Sequence, residues 1–147
     1  MVIEHGIVDG PKPSRLENSA VSRVQAKRRE VWTFYRDALA GWAAETGTRL
    51  PTVPAECDTS YHLFYLLLPD GRSRDAFIAH LKGRGIQAVF HYQPLNASPM
   101  GRSLGARAGQ CPVAEDASER LVRLPLFFDL TAEHLERIAE AVRSFRP

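Results

Sequence analysis

From Glu17 to Ala44 the apolar positions recur at helical steps. Val21, Val24, Val31, Tyr35, Leu39 and Trp42 fall three, four or seven residues apart and form one stripe, widened by Trp32 and Phe34. Arg23, Lys27, Glu30 and Asp37 take the opposite side. Gly47, Pro51 and Pro54 end this helix, and residues 49–60 show no period. Tyr61 to Leu68 is apolar except for His62, which predicts a buried strand with His62 as a satisfied core histidine. Pro69-Asp70-Gly71 predicts a turn, because proline fixes φ and glycine admits positive φ. Ser73 is the expected cap of a helix to Lys82, with Asp75 in its first turn and Phe77, Ile78 and Leu81 on its core side.

Gly83-Arg84-Gly85 punctuates the end of that helix, and Ile86 to Leu95 then alternates. Ile86, Ala88, Phe90 and Tyr92 share the face expected to be core. Gln87, Val89 and His91 share the other, expected to meet solvent or another domain. Pro94 stops the strand, having no N–H for a ladder. Asn96 to Gly109 is rich in glycine, serine and alanine, so a loop is expected, with a helical turn near Arg102–Ala106. Pro112 opens a short helix with Glu115 and Asp116 behind it, and Arg120 to Phe128 is extended. Thr131 caps a last helix, in which Leu135, Ile138, Val142 and Phe145 repeat at three, four and three.

This order predicts an α+β fold. Its sheet is small, three-stranded and mainly antiparallel, and is covered on one face by helices. The strand–helix–strand centred on Phe77 is a βαβ or split βαβ unit. Residues 1–16, broken by Gly10-Pro11-Lys12-Pro13, are expected as a tail ahead of a domain over 17–147.

Composition narrows the functions. A chain of 147 residues makes one domain, too short for a cofactor domain and a substrate domain together. Nineteen basic and seventeen acidic residues give a net charge of +2. The acids interleave with the arginines, and Lys27-Arg28-Arg29 is followed at once by Glu30. That run reads as a solvated helix face, so no nucleic-acid partner is expected. Cys57 and Cys111 lack paired spacing, so no metal site is expected; they read as reduced thiols of a cytoplasmic protein. The start, Met1-Val2-Ile3-Glu4-His5, lacks a basic region before an apolar run, so no signal peptide is expected. No apolar run approaches the ~20 residues of a membrane span.

Three stretches together resemble the C-terminal part of the DegT/DnrJ/EryC1/StrS sugar aminotransferases. They are Ser60-Tyr61-His62-Leu63-Phe64, then Gly85-Ile86 through Phe90-His91-Tyr92-Gln93-Pro94-Leu95, then Cys111-Pro112-Val113-Ala114-Glu115-Asp116 through Leu124-Pro125-Leu126-Phe127 to Leu130-Thr131. Ala88-Val89-Phe90-His91-Tyr92 with Ser98-Pro99 is most similar to dTDP-4-amino-4,6-dideoxygalactose transaminases. The likeness runs over residues 17–145 in order.

The resemblance implies the small domain of a fold type I enzyme dependent on pyridoxal phosphate (PLP), which aminates a 4-keto sugar carried on a nucleotide. It implies a large PLP-binding domain, in cis or in trans, that supplies the Schiff-base lysine, and an active site at a dimer interface. Lys27 and Lys82 lie on polar helix sides and Lys12 in the tail, so no Schiff-base lysine is expected here, and neither is cofactor binding or activity by the chain alone. The segment matching His91-Tyr92-Gln93-Pro94-Leu95 would approach substrate. The family often has histidine after proline-leucine where this chain has Asn96, which can donate and accept hydrogen bonds but carry no proton.

His91, Tyr92 and Asn96 are therefore the substrate-proximal candidates, each with a plainer reading beside it. His91 reads as a solvated or domain-interface residue, and Tyr92 as core with its hydroxyl pointing outward. Arg120 and Arg123 read as solvated rather than phosphate-binding, and nothing places His91, Asp129 and Ser98 together as a triad. Two rival readings remain: a free-standing α+β module that pairs with itself, and a small enzyme using His91. An apolar face left uncovered around Trp32, Phe34 and Trp42 would favour the aminotransferase domain over a self-contained module.

Overall fold

The computed structural model describes the backbone from residue 15 and side chains from residue 20 onward. The tail expected over 1–16, with Lys12, lies outside the described residues up to residue 14. The elements in order are α1 (Arg15–Thr46), β1 (Phe64–Leu67), α2 (Gly71–Lys82), β2 (Val89–Phe90), a 3-10 turn (Leu95–Ala97), α3 (Pro99–Ser103), α4 (Pro112–Arg120), β3 (Leu121–Leu124) and α5 (Ala132–Arg143). The sheet order is β1-β3-β2, and β3 is antiparallel to both neighbours. β1 and β2 thus run parallel with β3 between them, the split βαβ arrangement bridged by α2. This is the α+β fold with a small antiparallel sheet that the sequence predicts.

Register decides what faces the helices. Phe64 pairs with Leu124, and Leu66 and Phe90 both pair with Val122. Residues opposite one another share a face, so these five look the same way, and all but Phe90 are buried. Against them lies the α1 stripe, with Val31, Tyr35 and Leu39 fully buried and Trp42 nearly so. Leu135, Ile138 and Val142 of α5 and Phe77 and Leu81 of α2 complete the core. Edge-on aromatic contacts tie the layers: Trp32 to Phe64 at 5.5 Å and Phe77 to Phe145 at 5.2 Å between ring centroids.

Two polar groups on core aromatics find main-chain acceptors. Trp42 Nε1 donates to the Phe145 carbonyl at 2.9 Å, and the Tyr35 hydroxyl donates to the Pro125 carbonyl at 2.8 Å. Burial pushes the Tyr35 phenol above its ordinary range, so it stays a neutral donor. Tyr35→Phe keeps the ring and strips the Pro125 carbonyl of its donor. The expected cost is about 1–3 kcal/mol, read as a lower urea midpoint at unchanged slope.

The structure corrects several expectations. His62 is exposed and outside β1, with Nδ1 2.7 Å from Ser60 Oγ, because the ladder starts only at Phe64. Asp70, not Ser73, caps α2: its carboxylate accepts from the Ser73 backbone N–H at 2.7 Å, so the helix starts at Gly71 and Asp75 lies beyond its first turn. β3 stops at Leu124, and Phe127 and Phe128 are exposed. The helical turn expected at Arg102–Ala106 is replaced by α3 at Pro99–Ser103, with Pro99 at its start and Ser98 as its cap.

Trp32 and Trp42 are buried and Phe34 packs partly against the core, so α1 leaves no apolar face uncovered there. Tyr92 is exposed rather than core, and Phe90 is half exposed. Both keep the phase of Ile86 and Ala88, which are buried. They lie at the rim of an edge strand only two residues long, where the charged pair Arg74 and Asp75 stands opposite beside the single apolar side chain of Ile78.

Candidate functional site

The chain leaves β2 into a groove of about 590 Å³. One wall is the segment from Phe90 to Pro94 with Ala97. Arg74, Asp75 and Ile78 of α2 make the second, and Glu115, Ser118 and Glu119 of α4 the third. Each wall follows from local sequence. Asp70 fixes where α2 begins and so turns its first polar residues toward β2. Pro112, in the first turn of α4, leaves no helix N–H unmet at that position and brings Glu115 round one turn later.

His91 and Tyr92 come together here, ring centroids 4.9 Å apart, and the Arg123 guanidinium lies 5.7 Å from the Tyr92 ring. His91 Nδ1 is buried without a hydrogen-bond partner, as is Arg123 Nε. Desolvation, then the charge of Arg123, then that of His62, hold the His91 imidazole below the ordinary histidine range. His91 is thus neutral at neutral pH, with one ring nitrogen a donor and the other an acceptor. Its proton NMR titration is expected to centre below about 6.5. The unfolded chain then binds the proton first, so His91 stabilises the fold above that value and the contribution is lost as pH falls through the lower folded midpoint. In His91→Asn that segment of the stability-versus-pH curve should lose this contribution to its slope.

Asn96 faces a different task. Its Nδ2 donates to Glu115 Oε1 at 2.6 Å and to the Arg107 carbonyl at 3.2 Å, so both amide protons are engaged within the fold. Glu115 also accepts from the backbone N–H groups of Gly109 at 2.9 Å and Cys111 at 3.1 Å. These three donors hold its carboxyl below the usual carboxylate range. One carboxylate therefore closes both ends of the loop between β2 and α4. The sequence pattern places Glu115 only within the short helix behind Pro112; a carboxylate just behind Cys111-Pro112 is the signal that points to this bond. Ser98 is spent as the α3 cap, accepting from Gly101 N–H at 3.0 Å and donating to Leu95 O at 2.7 Å, so no triad with His91 forms. Arg120 binds Asp116 and the Leu68 carbonyl, tying α4 to the end of β1.

Among the described residues no lysine lines the groove; Lys27 pairs with Glu30 on α1 and Lys82 is exposed at the end of α2. The lining carries Asp75, Glu115 and Glu119 against Arg74, which is already paired with Asp75 at 2.8 Å. It offers neither an amine for an aldehyde nor a cationic cradle for a phosphate, so the described residues do not fit PLP. Among the described residues no group of three or more His, Cys, Asp or Glu is placed to hold a metal ion. No helix among them is long and apolar enough to cross a membrane.

The fold is that of aminotransferases. It superposes on TlmJ from Streptoalloteichus hindustanus, an aminotransferase, with a TM-score of 0.76 at 28% identity, covering 88% of this chain and 33% of that one. It superposes on DesV from Streptomyces venezuelae, solved with a ketimine intermediate, with a TM-score of 0.78 at 28% identity, again over 88% of this chain and 33% of the other. The model of the DegT/DnrJ/EryC1/StrS aminotransferase family matches residues 15–143, and the chain belongs to that family. A pleiotropic regulatory protein of Geobacillus stearothermophilus is 35% identical over 139 residues, which are 90% of this chain and 37% of the relative. The dTDP-3-amino-3,4,6-trideoxy-alpha-D-glucose transaminase of S. venezuelae is 31% identical, over 90% of this chain and 36% of the enzyme. The chain thus spans little more than a third of the length of these relatives.

Proposed function

We propose that this chain is the C-terminal, small domain of a PLP-dependent nucleotide-sugar aminotransferase. It works with a PLP-binding large domain, in cis or in trans, within a cytoplasmic dimer, and is inactive alone. The substrate class is a dTDP-4-keto-6-deoxyhexose, with the 4-amino-4,6-dideoxygalactose series first to try. The carrying observation is the family match from residue 15 to 143 combined with coverage of only about a third of each relative. A groove whose described lining residues include no lysine agrees with a partner that brings the amine. His91 and Tyr92 are its substrate-facing side chains, and Asn96 acts from behind them, through the loop it helps to fix.

The test adds PLP to the purified chain, reduces with borohydride, and maps adducts by mass spectrometry. No site-selective adduct is expected. One stoichiometric adduct at Lys27 or Lys82 would sink the proposal and make the chain a compact cofactor enzyme. A second reading, a self-contained module that pairs with itself, draws on one observation: the core closes without outside help, Trp32 and Trp42 included. It requires a stable dimer of the chain alone, visible by light scattering.

A further inference from the structure

The loop between β2 and α4 joins two properties that rarely coincide. Its backbone is pinned by its own bonds, and its largest apolar side chains point away from the fold. Ser98 caps α3, the Ala106 N–H returns to the Gly101 carbonyl at 3.0 Å, Gln110 Oε1 accepts from Arg107 N–H at 2.8 Å, and Glu115 closes the ends. Gly101 packs so closely that an added Cβ would lie 2.0 Å from the Leu95 carbonyl oxygen. Yet Leu95 is 85% exposed, Met100 69%, Leu104 80%, and Val113, just beyond the loop, 83%.

Isolated exposed leucines are ordinary, whereas four large apolar residues within nineteen positions on a fixed backbone mark an interaction surface. Prior ordering also removes the entropy that a floppy loop would lose on contact. A lid that opens and shuts would not hold its ends with a carboxylate bonded to three donors.

We infer that this loop is a preformed docking knob, and that Leu95, Met100 and Leu104 seat it against the cofactor-binding portion of the aminotransferase. The inference rests on the reading under Proposed function. The occupant follows from length: nearly two thirds of each relative lies outside the part this chain matches. The core face of the sheet is already covered by α1 and α5. Among the described residues the most exposed large apolar side chains, Leu95, Val113 and Leu104, lie on or just beyond this loop, which follows the edge strand β2.

The test combines Leu95→Glu, Met100→Glu and Leu104→Glu in one variant. In the free chain the triple variant should melt within about 5 °C of the parent, since exposed side chains contribute little to folding. A much larger drop would mean that they pack within the chain, and would overturn the inference. Hydrogen exchange at Gly109 and Cys111 of the free chain should be slow; exchange at random-coil rates would remove the preformed knob. The 147-residue chain is then fused behind the first two thirds of the S. venezuelae transaminase, with that full-length enzyme as the control for cofactor absorbance.

In the fusion, exchange across residues 95–111 should slow about tenfold or more relative to the free chain, and the triple variant should undo the slowing. A fusion that holds PLP while the loop exchanges as in the free chain would refute docking and leave the aminotransferase reading standing. A fusion that holds no PLP, where the control does, would count against the reading itself, and docking would fall with it. Concentration-dependent dimerisation of the free chain, abolished by the triple variant, would assign the loop to a second copy and overturn the cofactor-domain assignment.

Discussion

Phe77→Ala is expected to lower the unfolding free energy by about 3–5 kcal/mol. Phe77 is fully buried on α2, with its ring 6.0 Å from Trp42 of α1 and 5.2 Å from Phe145 beyond α5. Side chains of α1, of α2 and of the segment after α5 thus meet at one ring. Domains of this size have about 5–15 kcal/mol in total, so the substitution removes roughly a fifth or more. A drop of roughly 10–20 °C in melting temperature follows. The near-ultraviolet dichroism of Trp42 is the sensitive readout, because its environment is what the cavity changes. Phe127→Ala, on an exposed ring, is the control and should shift the midpoint little.

Gly101→Ala acts on a different part of the molecule. The new methyl would overlap the Leu95 carbonyl, which is backbone and has no rotamer by which to move aside. The 3-10 turn and α3 must separate, at about 1–3 kcal/mol. The damage should stay local. Amide protection from Ala97 to Cys111 collapses, while the ladder amides of Leu66 and Val122 exchange as in the parent. Loss of protection in both regions together would show that the loop and sheet unfold as one unit. That outcome would refute the loop as a separately closed structure.

Periodicity made the helices and the strand phases legible. The α1 stripe from Val31 to Trp42 and the α5 repeat from Leu135 to Val142 are the two main helical faces of the core. Ile86 and Ala88 point inward as their alternation required. What periodicity lacks is an account of where cover ends. Phe90 and Tyr92 continue the same alternation past the last helix that could shield them, and His62 precedes the first rung of its ladder. Local chemistry misled at the start of α2, where Asp70 and Ser73 are both good caps and only the chain path separates them.

The site was legible in part. His91 and Tyr92 are adjacent in sequence, so their meeting needed little inference. The Asn96–Glu115 bond spans nineteen residues and depends on how two short helices fold back, which no local pattern encodes. Arg123 reached the Tyr92 ring only through the pairing of Val89 with Arg123.

The position of β3 between β1 and β2 also sets a timetable. The middle strand of the sheet is encoded after the two outer ones, at residues 121–124. During synthesis β1 and β2 leave the ribosome with no strand of the sheet to pair with, and β1 has only the Arg49–Leu67 bridge to hold. β2 waits, unpaired, for about thirty residues of further translation, and β1 for more than fifty. The sheet then assembles by insertion, as a late and non-local event. A nascent chain arrested before Leu121 would expose both slots to any passing extended segment.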